Sequence, residues 1–155
     1  MRMALIFSRN NGLHSRIVRL FTRSEWSHVE VLLINSELII GAEPGEGVIV
    51  NDLDREPPGS TVAVGVVIDR LVPNPERATD FLIAQIGKKY DWTGLIGWLF
   101  KGRNWQEPNK WFCSELVAAM LIAGGHEMKV KTGSVSPQDL WDMTRSQPHF
   151  VVANK

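Results

Sequence analysis

The chain has 155 residues, and its 17 Lys+Arg balance 17 Asp+Glu. That length suits a single domain over residues 1–155, and 44% hydrophobic with 22% charged residues excludes a disordered chain, a collagen-like fibre or a coiled coil. Zero net charge gives no electrostatic case for nucleic acid or an acidic membrane, and a single cysteine excludes an internal disulfide and a multi-cysteine zinc site.

The N-terminal apolar run is too short for the core of a secretory signal, so synthesis in the cytoplasm is expected. If the chain is phage-encoded, release to the cell wall by lysis stays open. The most membrane-like stretch, Thr93 to Phe100, is broken by Lys101 and Arg103 and falls far short of the ~20 apolar residues of a spanning helix.

Met3–Phe7 reads as a short apolar strand. In Gly12–Thr22 the residues Leu13, Ile17, Leu20 and Phe21 recur at helical spacing and predict a helix with that apolar face. His28–Ile34 alternates and is rich in β-branched residues, which predicts a strand; Asn35-Ser36 turns the chain into a second, Glu37–Gly41. Glu43–Gly47 is a loop, Val48–Val50 a strand, and Asp52–Ser60, with Pro57, Pro58 and Gly59, a surface connection. Thr61–Ile68 is an apolar strand.

Asn74 can cap the next helix, Pro75 suits its first turn and Gly87 its end. Lys101–Lys110 reads as a loop, and Cys113–Ala123 as a buried helix closed by Gly124-Gly125. Ser136-Pro137-Gln138-Asp139 is a capping-box pattern opening a helix to Met143, and His149–Ala153 could be a last strand. Hairpin-length links between strands, with helices at both ends, predict an α+β fold with an antiparallel sheet.

Cys113 stands at the expected N-terminus of the buried helix. Unpaired amides and the helix dipole favour an anion there, as reactive cysteines require; the plain alternative is a small buried hydrophobe. His28 begins a strand, where an imidazole facing a cleft can act as base for a thiol. A thiol on a helix N-terminus and an imidazole on a sheet are the two halves of a papain-like pair.

The remaining motifs occur in a telling order: Ser27-His28-Val29; Gly41-Ala42-Glu43 to Gly47-Val48; Gly87-Lys88-Lys89-Tyr90-Asp91; Phe112-Cys113-Ser114-Glu115-Leu116-Val117; and Ser136-Pro137-Gln138-Asp139-Leu140. Over residues 24–141 the chain resembles the circularly permuted branch of the NlpC-type, papain-like cysteine hydrolases, a cell-wall peptidase superfamily with lecithin:retinol acyltransferase-like relatives. The resemblance implies Cys113 as nucleophile and His28 as base, with the histidine preceding the cysteine by 85 residues in place of the usual order. It also implies an acid on the strand after the histidine. That position is Gly41 here, a departure from the pattern.

Glu43, two residues on, shares the face of Gly41 if the strand continues and is the preferred third residue. Glu30 shares a face with His28, but side chains two apart on one strand run parallel. Tyr90 matches a tyrosine that the family carries beside its cysteine, where its hydroxyl could donate to an oxyanion together with the Cys113 amide.

Trp92, Trp98, Trp105 and Trp111 cluster with Phe100 and Phe112, a density that lines grooves as well as cores; no aromatic alternates with basic residues as a nucleic-acid surface would require. Ser114 is a first-turn residue that helps satisfy helix amides, and Glu115 favours the positive end of the dipole. His14, His126 and His149 show no ligand spacing, so no metal or cofactor is expected. The expected activity is cleavage of an amide bond, in a peptidoglycan peptide first, through an acyl-enzyme. A lipid or acyl-ester hydrolase or acyltransferase of the same fold, or an inactive binding or structural module, is the alternative.

Overall fold

The computed structural model describes residues 1–54, 62–91, 110–128 and 135–152. The greater parts of the Asp52–Ser60 connection and of the Lys101–Lys110 loop lie outside these residues, as do Trp92, Trp98, Phe100 and Trp105.

Eight strands and four α-helices follow in chain order among the described residues: β1 Met3–Arg9, α1 Leu13–Thr22, β2 His28–Leu33, β3 Leu38–Glu43, β4 Gly47–Asp52, β5 Val62–Val67, α2 Pro75–Gln85, β6 Lys89–Tyr90, β7 Lys110–Trp111, α3 Cys113–Ala123, α4 Pro137–Thr144 and β8 His149–Val151. Six strands form one antiparallel sheet in the order β4-β3-β2-β1-β5-β8. The short strands β6 and β7 pair in parallel. The fold is α+β, an antiparallel sheet packed against helices, and α3 carries the sole cysteine.

Period-two alternation divides the sheet residues between two apolar clusters. Met3, Leu5, Phe7, Val29, Val31, Ile40, Ala42 and Val48 join Leu116, Val117, Met120 and Leu121 of α3 in the main core. Ala4, Ile6, Leu32 and Ala63 form a smaller cluster with Ile39 and Phe150. Helix α3 is apolar on nearly every side because it is buried on nearly every side, with eight of its residues sequestered. It packs against β2, β3, α2 and α4.

Local chemistry ends the helices where the residues demand it. The Asn74 side chain accepts from the Arg77 amide at 3.0 Å, with Pro75 in the first turn of α2. Ser136 accepts from the Asp139 amide at 3.1 Å while Asp139 accepts from the Ser136 amide at 2.8 Å, a reciprocal capping box. Ser114 departs from its expected role: its hydroxyl donates to the Val135 carbonyl at 2.6 Å and ties the first turn of α3 to the start of α4.

Helix α1 forms where its periodicity predicts it. It buries Ser15, Val18 and Thr22, while Leu13, Leu20 and Phe21 are exposed. Periodicity marked the helix and its apolar stripe without saying which side faces the sheet. Small hydroxyl residues win the inward face because they let α1 lie close to the start of β2: Ser15 Oγ bonds Ser27 Oγ at 2.7 Å, and Ser27 Oγ donates to the Ser8 carbonyl at 3.2 Å. No helix among the described residues is long and apolar enough to cross a membrane.

Candidate functional site

The register between β2 and β3 assembles the site. Val31 pairs with Ile40, Leu32 with Ile39 and Leu33 with Leu38. Continued toward the start of β2, the same register sets Glu30 opposite Gly41 and His28 opposite Glu43. All four then share one face of the sheet. Glu43 Oε1 lies 3.2 Å from His28 Nε2, and Glu30 Oε1 lies 3.8 Å from the same nitrogen.

Gly41 is what admits Glu30. A β-carbon at position 41 would stand 2.7 Å from Glu30 Cγ and 2.9 Å from Glu30 Oε1. The missing side chain is space that Glu30 fills. The absent acid at position 41 therefore does not leave the imidazole without carboxylates; two flank it from neighbouring positions. Glu43 is the nearer of the two, and Glu30 approaches the ring through the room that a glycine opens on the next strand.

Two opposing effects act on His28. Burial alone would depress its pKa; the neighbouring Cys113 side chain, then the carboxylates of Glu30 and Glu43, outweigh it and raise the pKa well above 6.5. Nε2 is buried, yet neither carboxylate is aligned for a hydrogen bond with it. The carboxylates therefore act on the ring through charge more than through directed bonding.

Cys113 opens α3 and is fully buried. Glu115 Oε2 accepts from the Phe112 amide at 3.3 Å, which satisfies one unpaired donor at this helix end. Burial raises the Glu115 pKa to about 7, against the pull of the Phe112 amide and with help from the nearby Asp91 charge. Asp91 is itself buried and follows Tyr90.

Tyr90 reaches the site because of a close backbone approach. Gly47 has φ +87°, and a β-carbon there would collide with the Lys88 carbonyl, which accepts from the Val48 amide at 2.8 Å. That contact lays Lys89–Tyr90 against β4. The Tyr90 ring meets Phe112 edge-on at 5.9 Å between centroids. Burial first, then the neighbouring Cys113, Glu43, Asp91 and Glu115, hold its hydroxyl protonated and hence a donor.

Sequence reasoning passed over His14. Its ring lies 6.5 Å from that of Tyr90, and the charges of His28 and Glu43 act on it. Burial and His28 lower its pKa, with Glu43 opposing. Its position four residues before the inward-facing Val18 is the signal that could have found it.

Among the described residues, His28, Glu30 and Glu43 could share a divalent cation, since their ligand atoms lie within 4.8 Å of one another. The proton that the same surroundings favour on His28 competes with any such ion. The set is equally suited to holding an imidazole in its charged form. No protein-family model and no curated protein matches the chain.

Proposed function

We propose that the protein is a cysteine hydrolase of permuted papain-like fold, acting through Cys113 and His28. The observation that supports this reading is an imidazole 3.2 Å from one carboxylate and 3.8 Å from another, whose charged form is also favoured by the sole cysteine at the N-terminus of a buried helix. A cationic group beside the sulfur is the setting that lowers a thiol pKa.

In the proposed reaction His28 accepts the thiol proton, and the Cys113 sulfur bonds to a substrate carbonyl carbon. The carbonyl electron pair moves to oxygen, where the Cys113 amide and the Tyr90 hydroxyl donate to it. The oxyanion collapses, the bond to the leaving nitrogen or oxygen breaks, and His28 returns its proton to that atom. Water then gives a proton to His28 as its oxygen bonds to the thioester carbon. The sulfur leaves with the bonding pair and regains the proton, and a carboxylic acid is released. Glu43 and Glu30 stabilise the imidazolium formed in both halves.

The resemblance of the motifs to the permuted NlpC-type hydrolases favours a peptide amide, with cell-wall peptide first among substrates and acyl esters second. A binding module is the second reading, favoured by the complete burial of the sulfur. Short peptidoglycan peptides and aryl esters, incubated with the protein and quenched in acid, test the proposal by mass spectrometry. A mass increase of one acyl group on Cys113, absent in His28→Ala, is expected. An unmodified Cys113 with every substrate would favour the binding module.

A further inference from the structure

Helix α1 turns an apolar strip outward. At 100° per residue, Leu20, Leu13, Ile17 and Phe21 fall on an arc of roughly 100°, opposite the buried Ser15, Val18 and Thr22. Leu13 is 74% exposed, Leu20 73% and Phe21 39%. Two large leucines left almost wholly in water on one short helix are uncommon unless something covers them.

The charges beside the strip say what covers it. Arg16 and Arg19 lie beside the strip, Arg23 follows at the end of the helix, and no acidic residue occurs from Asn10 to Ser24. Arg16 and Arg23 are exposed and Arg19 is half-buried. The next acid along the chain, Glu25, pairs with Arg9 at 2.8 Å. In a chain with 17 charges of each sign, two arginines on one helix and a third at its C-terminal end, without an acid, are a local excess that net charge conceals.

We propose that α1 docks the protein on an anionic lipid bilayer, its Leu13–Ile17–Leu20–Phe21 strip entering the acyl boundary and its arginines meeting the headgroups. An apolar face bordered by basic residues is the pattern of helices that lie in the membrane interface. Anionic lipid supplies both the apolar phase and the countercharge; a neutral apolar protein surface supplies no partner for the arginines. The helix is already folded on the sheet, so docking carries no coil-to-helix cost.

The first turn of α1 carries His14, which borders Tyr90, so a docked molecule holds the Cys113 site beside the bilayer surface. This last consequence rests on the hydrolase reading and favours substrates presented at a membrane; the docking itself does not depend on that reading.

The test is co-sedimentation of Cys113→Ser with vesicles of phosphatidylcholine, alone or mixed with phosphatidylglycerol, so that loss of catalysis cannot affect the result. Binding to the mixed vesicles at least about tenfold stronger than to phosphatidylcholine alone is expected, and it weakens with added salt. Leu13→Ser with Leu20→Ser should reduce it about tenfold or more, and Arg16→Gln with Arg23→Gln should abolish most of the preference for anionic lipid. These positions are exposed, so unchanged melting temperatures are expected and show that the fold is intact. No binding to either vesicle, or equal binding by both double variants and the parent, overturns the proposal. A dimer that dissociates on Leu13→Ser with Leu20→Ser also overturns it, since a second copy would then be the occupant.

Discussion

Glu115 makes the stability of the protein depend on pH in a direction opposite to that of an ion-paired acid. Its carboxyl is buried two residues from Cys113, and burial with the Asp91 charge raises its pKa from 4.5 to about 7. The folded state thus holds a proton that the unfolded chain releases. Stability from this group is complete below about pH 4.5 and is lost as pH rises through about 7. At ~1.36 kcal/mol per pH unit the loss amounts to about 3 kcal/mol.

Glu115→Gln keeps the side-chain oxygen that accepts from the Phe112 amide and removes the titration. The variant should equal the wild type at pH 4.5 and exceed it at pH 8, by roughly 6–12 °C in melting temperature for a chain of this size. Urea unfolding at both pH values gives the free energies directly. A variant that is no more stable than the wild type at pH 8, with the same pH slope, would refute the burial argument.

Three further outcomes are expected. Gly41→Ala sets a β-carbon against Glu30 and should cost about 1–3 kcal/mol, most of it recovered in Gly41→Ala with Glu30→Ala; additive costs in urea unfolding would mean that Glu30 does not occupy that space. Ser136→Ala removes one side of the α4 capping box and should lower the unfolding free energy by about 1 kcal/mol, read from the urea midpoint. Because Cys113 is fully buried, a bulky aromatic disulfide should label it far more slowly than iodoacetamide does in the native protein, and the gap should close in urea; equal native rates would mean that the sulfur is open.

Much of the frame was legible because it is written in local chemistry. The box at Ser136–Asp139, the Asn74 cap and the apolar run of α3 each carry their signal within a few residues. The site was legible only as a set of candidates, because its parts come from β2, β3, β6 and the end of α3. Glu43 followed from extending a strand by two residues. Glu30 did not, since its role depends on a glycine eleven positions away meeting it across the sheet. Which face of α1 turns outward was not legible for a related reason: periodicity locates a stripe, and only the hydroxyl contacts of Ser15 with Ser27 reveal which side the sheet takes.

The central claim is that the imidazole of His28 activates the sulfur of Cys113. The rate of iodoacetamide alkylation of Cys113 at pH 7, followed by intact mass in the wild type and in His28→Ala, tests it most directly. A drop of about tenfold or more in His28→Ala is predicted, with both folds confirmed by melting. Equal rates in the two proteins would contradict the claim.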